Sequence, residues 1–526
     1  MIRAAEDDLS REFFFQVWLQ PLLLTLQLMF VAVAIAAMIG IVGAWGASVS
    51  ATNRFPGPLV RRVFLAAMVL TIALPMILHV AAWEATAGKF GWMIMTQTGT
   101  RAGGSSRYGF FSGLVSCGWI HGLVGGALVA LACWHGTRQV ASEVRDNSLL
   151  DCSPLAAWWR VRLPLASRWW IAALVATAML AATEMTVVDL YGYRTIADEF
   201  YLFYAANPSL PSILMIVVVP LALVSSVLLW WSVSRRRPAA SHAEREGRET
   251  DGEDAGALWR MLGAVAALGI ALTMVLVPIA SLIIKIGHEV SVEEDEVVAR
   301  WSAAACVTRI LEAPQFFAEE YAWTTILSLS TAFVAVAIAW PLAAVARTRP
   351  GWLRWLDLAT ITMVIIPGPV VAMTVVWIFQ WDIPGFQFLY RQTIVPTVCA
   401  LLARGIPVAY WILRAAYRGI EQRVIDAASL DMSWLARVWR IDRPMLGRDL
   451  LTALLGTAIV ASGDVPATLP VIPPGVTTVG TRLFGLLHSG ARYQEAALAI
   501  WYVAAITLVS LFLLRQRVAS RVRLTS

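Results

Sequence analysis

The sequence predicts an all-α polytopic membrane protein made of two parallel repeats, with about 11 transmembrane helices. Three observations carry this expectation. Hydrophobic residues make up 59% of the 526 residues, charged residues only 14%, and the mean hydropathy is +0.68; soluble domains carry about 25% charged residues. Apolar runs long enough to cross a bilayer, about 20 residues each, recur along the whole chain. Finally, one polar stretch occurs twice, as DNSLLDCSPLAAWWRVRLP from Asp146 to Pro164 and as DAASLDMSWLARVWRIDRP from Asp426 to Pro444.

The offset of 280 between these stretches holds from Asp146/Asp426 to Arg168/Arg448. Ten of the 23 pairs are identical: Asp146/Asp426, Leu150/Leu430, Asp151/Asp431, Ser153/Ser433, Leu155/Leu435, Ala156/Ala436, Trp159/Trp439, Arg160/Arg440, Pro164/Pro444 and Arg168/Arg448. Each copy is a polar island between apolar runs, so the chain reads as one membrane unit used twice.

In chain order, spans are expected near 20–47, 62–83, 109–134, 169–190 and 211–233, then 258–284, 322–346, 355–380, 393–415, 450–472 and 494–514. An odd count places the termini on opposite sides. Arg54, Arg61, Arg62, Arg235, Arg236, Arg237, Arg347, Arg349, Arg354 and the tail Arg515, Arg517, Arg521 and Arg523 fall on one side, and the acidic loop Glu289, Glu293, Glu294, Asp295, Glu296 on the other. The positive-inside rule makes the first side cytoplasmic, with the N-terminus outside and the C-terminus inside. Six spans separate the two islands, so both face the cytoplasm and the halves are parallel repeats. Thr25 in PLLLTLQL matches Thr325 in WTTILSLS at an offset of 300, whereas the span at 258–284 has no counterpart in the first half.

The domain boundaries follow. Residues 1–233 form the first half, with its loop at 138–168, and residues 258–526 the second, with its loop at 418–448. The Pro-, Gly- and charge-rich stretch 234–257 is expected to be a disordered cytoplasmic linker. The acidic N-terminal stretch lacks a small-residue cleavage site, so no cleaved signal peptide is expected.

The net charge of +6 belongs to short loops and is no nucleic-acid footprint. Cys117, Cys133, Cys152, Cys306 and Cys399 lack metal-site or disulfide spacing, and the six histidines are dispersed. Neither a metal, nor a cofactor, nor a catalytic cluster is expected, and the chain does not read as an enzyme.

Each island offers helix formers, an Asp-x-Ser turn, a Trp- and Arg-containing amphipathic stretch, and a proline. Asp151 and Asp431 suit a turn or the N-cap of the helix that follows. Pro164 and Pro444 suit the first turn of the next span. The expected product is a helix–turn–helix presenting Leu155/Leu435 and Trp159/Trp439 beside arginines, a shape fitted to a groove in a partner protein. An interfacial helix resting on lipid is the alternative. Two equal copies favour a two-fold symmetric partner. Glu184 and Asp464, also 280 apart, lie 20 residues beyond their prolines, about 30 Å along a helix. They are the candidates for an acidic pair at an outer gate, or for carboxylates facing water among the headgroups.

The islands resemble the Glu-Ala-Ala loop of permease subunits of bacterial type I ABC importers, a pattern of Glu-Ala-Ala, three residues, Gly, nine residues, Ile-x-Leu-Pro. Anchored on Pro444, Ile441 takes the Ile position and Asp431 the Gly position, and Asp426-Ala427-Ala428 stands one residue out of step for Glu-Ala-Ala. Anchored on Pro164, the first copy has Val161, Leu163 and Asp151, with Arg145-Asp146-Asn147 in place of Glu-Ala-Ala. The stretch Pro466-Ala467-Thr468-Leu469, then Pro473-Pro474-Gly475-Val476-Thr477-Thr478 and Arg482, is similar to the distal half of fused ferric-iron permeases. Such permeases have six spans per half, so the resemblance implies that the first half has lost one.

The resemblance further implies a bacterial inner-membrane permease whose coupling residues seat in a homodimeric ATP-binding cassette subunit on the cytoplasmic side. These would be Asp146, Asp151, Leu155, Trp159, Arg160 and Pro164 in the first loop, and Asp426, Ala427, Ala428, Asp431, Leu435, Trp439, Arg440, Ile441 and Pro444 in the second. An extracytoplasmic solute-binding protein would deliver the cargo, ferric iron by resemblance, with thiamine, phosphonate or another small solute as alternatives. The chain has no Gly-x-x-x-x-Gly-Lys-Ser/Thr stretch, and its lysines are Lys89 and Lys285 alone, so the ATPase must be a separate chain. A parallel-repeat secondary transporter is the reading from another class; it would need ionisable groups within the spans and no duplicated docking loop.

Overall fold

The computed structural model describes residues 19–50, 56–88, 113–206, 256–293, 296–490 and 493–524. The described chain is helical apart from one β-hairpin. Among the described residues six helices are long and apolar enough to cross a membrane, and ten crossings result if each of four sharply bent helix pairs counts as one. This is an all-α multi-pass membrane architecture. The expected span at 211–233 lies outside the described residues, as does nearly all of the expected linker.

Helix α1 (Gln20–Val49) is followed by α2 (Gly57–Ala73) and α3 (Met76–Ala87), which meet at 108°. The sequence reading placed one straight span at 62–83. The break arises at Leu74, held extended at ψ 126° because the Pro75 ring disfavours helical backbone in the residue before it. Helix α4 (Gly113–Arg138) leads to α5 (Ser142–Asp151) and α6 (Pro154–Leu165), then α7 (Ser167–Thr183), α8 (Thr186–Leu190) and α9 (Ile196–Ala206).

Helix α10 (Ala257–Ile286) precedes the hairpin of β1 (His288–Glu293) and β2 (Glu296–Trp301), paired antiparallel with Glu293 opposite Glu296. Of the acidic stretch expected as a loop, Glu289, Glu293 and Glu296 thus lie on paired strands, consistent with the valines at 290, 292, 297 and 298, while Glu294 and Asp295 lie outside the described residues. Helices α11 (Ala303–Phe316) and α12 (Ala318–Thr348) follow, then α13 (Pro350–Ile365) and α14 (Gly368–Phe379), bent by 98°. Here too the residue before proline, Ile366 at ψ 124°, makes the break. The chain ends through α15 (Phe386–Gln392), α16 (Val395–Tyr417), α17 (Gln422–Asp431), α18 (Trp434–Met445), α19 (Gly447–Ser462), α20 (Val465–Thr468), α21 (Val479–Ser489) and α22 (Gln494–Leu524).

Several boundaries recur at a fixed offset. Helices α5 and α17 match end for end at 280, as do α6 and α18, and α3 and α14 match at 292 and α9 and α21 at 283. Helix α10, without a counterpart in the sequence, packs on α1 and α2 of the first half. One apolar cluster joins Leu28, Phe64, Met68 and Ile120 to Met274 of α10; another joins Ile77, Leu78 and Ala81 of α3 to Leu282, Leu483 and Tyr502. Helices far apart in the chain therefore share their cores. Buried alanines at 32, 36, 335 and 339 keep the helices close, the usual membrane solution where hydrophobic expulsion from water is not available.

Helices α1 and α10 meet backbone to backbone at Gly46 and Gly263: a Cβ on Gly46 would lie 2.6 Å from the Gly263 carbonyl oxygen. Gly46→Val is expected to lower the stability of the detergent-solubilised protein by about 1–3 kcal/mol, read as a fall in its unfolding temperature, with Val added at Gly269, where a Cβ meets nothing within 4 Å, as the neutral control.

Candidate functional site

The two duplicated loops share one backbone. In each, a helix ends at the aspartate, Asp151 or Asp431, and the next begins three residues later, just behind a serine N-cap, Ser153 or Ser433. The serine hydroxyls accept from the backbone N–H of Ala156 and Ala436, at 3.4 Å in both. Capping thus falls to the serines, and the aspartates close the preceding helix. A π-helical turn follows, Trp158–Arg162 or Val438–Asp442. It lies just before Pro164 and Pro444, whose missing N–H and bulky ring break the regular α-helical ladder. The prolines sit inside the last turn of α6 and α18, and the chain turns two residues later, by 69° at Ala166 and 83° at Leu446. The expected proline start of the next span is corrected accordingly.

None of the ten identical pairs is buried in either loop. Asp146/Asp426, Asp151/Asp431, Trp159/Trp439, Arg160/Arg440 and Pro164/Pro444 are exposed in both, and Leu150 and Leu430 are 83% and 88% exposed. Leu155 is half-buried and Leu435 exposed; Ala427 is exposed, Ala428 buried and Ile441 half-buried. Positions that are buried in either copy all differ: Ala157/Arg437, Trp158/Val438, Arg162/Asp442, Leu163/Arg443, Ala166/Leu446, and on the preceding helices Arg145/Ile425 and Ser148/Ala428. A fold repeated for its own stability would keep its core. Here the solvent-facing side is what the two copies share.

Beyond each loop, α7 and α19 end at Thr183 and Ser462, shorter than the spans read from sequence, and the matched acids follow. Glu184 is buried, and its two oxygens accept from the backbone N–H of Thr186 and Val187, at 2.8 and 2.9 Å. The acid thereby caps α8. His121 of α4 places Nε2 at 3.7 Å from the same carboxylate. Asp464 accepts from the N–H of Ala467 at 3.3 Å, capping α20, and Arg404 of α16 stands 3.9 Å away. Each acid therefore faces a base on the helix before its loop, a pairing absent from the sequence reading. It could not be read from the offset, because at 280 His121 aligns with Leu401 and Arg404 with Val124.

A second correction concerns the threonines. Thr25 accepts from the N–H of Ile196, the first residue of α9, at 3.0 Å; the same service to Val479, the first residue of α21, comes from Thr324 at 2.8 Å. Thr325 is exposed. The structural partner of Thr25 is Thr324, at an offset of 299.

Two further pairs cross between the halves or close on buried charge. Lys285 of α10 pairs with Glu495 of α22, both buried, and Asp189 of α8 meets His488 of α21 at 3.2 Å. Among the described residues no group of three or more His, Cys, Asp or Glu is placed to hold a metal ion. No family model matches the chain, and no curated protein matches it.

His488 lies outside the long apolar spans. Its hydrogen bond with Asp189 raises the imidazole pKa, against partial burial, which lowers it. A raised folded-state pKa means the bridge stabilises fully below the unfolded value of about 6.5 and is lost as pH rises through the folded value. The wild-type unfolding temperature is expected to fall across that window, and His488→Gln to flatten the dependence, in scans at stepped pH.

Proposed function

We propose that this chain is the permease subunit of an ATP-binding-cassette importer. Its two transmembrane halves are parallel repeats, about 11 spans in all, and a separate homodimeric ATPase docks on the two loops. The single observation that carries this reading is the pattern of identity in those loops. None of the ten identical side chains is buried in either copy, whereas every position buried in either copy differs. Stability of the loop does not call for such a pattern. Two equal grooves on a two-fold symmetric partner do.

The exposed face also has the right chemistry. Leu150/Leu430 and Trp159/Trp439 offer apolar anchors, flanked by Asp151/Asp431 and Arg160/Arg440, and aromatic and arginine anchors dominate the energetics of protein docking. A fully exposed leucine forgoes about 1.5–3 kcal/mol that burial would return, so a partner that covers Leu150 and Leu430 gains on both loops. Closure of the ATPase dimer would then move α6 and α18 together and rock the halves between inward- and outward-facing states. The chain would transport rather than catalyse, in a bacterial inner membrane, with its N-terminus outside and both loops and the C-terminus in the cytoplasm. Cargo would arrive on an extracytoplasmic binding protein; ferric iron is favoured by the similarity of 464–500 to ferric-iron permeases.

The test is gentle purification of the tagged chain from its native host, with co-purifying proteins identified. An ATP-binding subunit is expected with the wild type and is expected to be lost when Asp431 and Trp439 are replaced by Arg and Ala. Leu430→Ser separates docking from folding: the isolated chain should keep its unfolding stability to within about 0.5 kcal/mol, while retention of the partner falls. Absence of any ATPase from the wild-type preparation would replace this reading with that of a secondary transporter.

A further inference from the structure

The two matched acids stand in corresponding places whose surroundings differ in chemistry. Beside Asp464 lies a small cavity of about 10 Å³, room for one water-sized species. Its lining includes Thr324 of α12, Leu401 of α16, Ser462 of α19, Asp464, Thr468 of α20 and Thr478, the N-cap of α21. The offsets of 299, 280 and 283 place the first-half counterparts at Thr25, His121, Ala182, Glu184, Val188 and Thr195. Three of these pairs change in kind. In the first half His121 brings its imidazole to 3.7 Å from Glu184, and Ala182 and Val188 carry no hydroxyl. In the second half the place of the imidazole is taken by Leu401, and Ser462 and Thr468 add two oxygens beside the acid.

The hydroxyl protons around this cavity are committed elsewhere. Thr324 donates to the Glu320 carbonyl, Ser462 to that of Ile459 and Thr468 to that of Asp464, each at 2.7 Å. Thr481 donates to the Thr478 carbonyl at 3.1 Å, so the proton between the two hydroxyls is that of Thr478. A hydroxyl has one proton to give and keeps its lone pairs, so the lining offers acceptors. Asp464 adds to them: Oδ1 takes the N–H of Ala467, whereas Oδ2 is buried and receives no hydrogen bond. Arg404 brings Nε to 3.9 Å from Oδ2, too far to donate. Its other nitrogens serve the carbonyls at the end of α13, and it does not line the cavity.

We propose that this cavity is a binding site for one small monovalent cation, with Asp464 as its charged ligand and the hydroxyl oxygens of Thr324, Ser462, Thr468 and Thr478 as neutral ones. A water molecule would bring two lone pairs to a lining whose hydroxyl protons are bonded elsewhere, and a buried acceptor without a donor is costly. A cation brings no lone pair. A divalent ion wants six or more oxygens or keeps several waters, for which a one-water cavity has no space. One carboxylate, partly offset by Arg404, matches a single positive charge. The ion ties α12, α19, α20 and α21 together at the end of α19 remote from the duplicated loop. The first half meets its acid with a side chain of its own, and the second takes an ion from solution. The site belongs to the isolated chain and is independent of whether an ATPase docks on it.

The test is equilibrium binding of radioactive sodium to the full chain in lipid nanodiscs, paired with its unfolding temperature in sodium chloride and in N-methyl-D-glucamine chloride at equal ionic strength. One saturable sodium ion per chain is expected, with an unfolding temperature higher in sodium by about 2–4 °C at saturation. Ser462→Ala combined with Thr468→Val, which copies the first half, should weaken sodium binding by about ten-fold. Asp464→Asn, which keeps a capping oxygen for α20, should abolish binding and the difference between the salts. Each variant's own change in stability cancels in that difference. Coincident unfolding curves in the two salts, without saturable sodium binding, would overturn the assignment and leave a proton as the neutraliser of Asp464. Sodium binding that survives in Asp464→Asn would place the ion elsewhere and overturn it equally.

Discussion

Lipid offers no hydrogen bonds, so every backbone group freed by a broken helix must find its partner within the protein. This constraint accounts for four of the ionisable side chains placed inside the fold, His79, Arg404, Glu184 and Asp464. The breaks before Pro75 and Pro367 free carbonyls at the ends of α2 and α13. His79 supplies a donor to the Thr71 carbonyl at 2.9 Å, which makes Nε2 its protonated nitrogen. Arg404 does the same for α13, donating to the carbonyls of Met363, Val364 and Ile366. At the other breaks the freed groups are N–H donors, and the acids Glu184 and Asp464 accept from them. Cation at a helix C-terminus and anion at a helix N-terminus is the arrangement that helix dipoles favour. The contact between Arg404 and Asp464 then joins a C-terminus to an N-terminus through two side chains. A gate role for the acids would be added to this capping role, which is already sufficient to hold them in place.

The parts of the fold legible in the sequence were those set by local rules. Long apolar runs placed α1, α4, α10, α12 and α16 to within four residues, and the start of α22, because span length is imposed by bilayer thickness and needs no tertiary information. The duplicated loops were legible because identity at one offset is a property of the letters alone. Bends were not. Pro75 and Pro367 are visible in the sequence, but a proline within an apolar run can kink a helix slightly or turn it by about a right angle, and neighbouring helices decide which. The pairing of Glu184 with His121 and of Asp464 with Arg404 was hidden for another reason. The bases stand one helical turn apart in the two copies, so the same spatial relation is reached from non-equivalent positions. Thr324 was missed by one residue because two threonines adjoin, and only burial chooses between them.

The loops show how a repeated shape can survive while its core changes. Three devices set the backbone in each copy: a serine cap worth about 1 kcal/mol, a π turn ahead of the proline, and a bend two residues beyond it. All three act within about ten residues and depend on Ser153/Ser433 and Pro164/Pro444, which are identical and unburied. The path of the chain therefore does not call for identical buried side chains. Buried positions are then free to vary, and they have varied: Trp158 and Arg162 are buried in one copy, Val438 and Asp442 in the other. Among the 23 pairs, most positions exposed in both copies are identical, with Asn147/Ala427 and Leu165/Met445 the exceptions, as expected if both copies must fit one surface. That asymmetry runs opposite to the one that folding alone would impose, since buried residues ordinarily tolerate least change. It is the reason the outward face, and not the core, carries the functional argument for these loops.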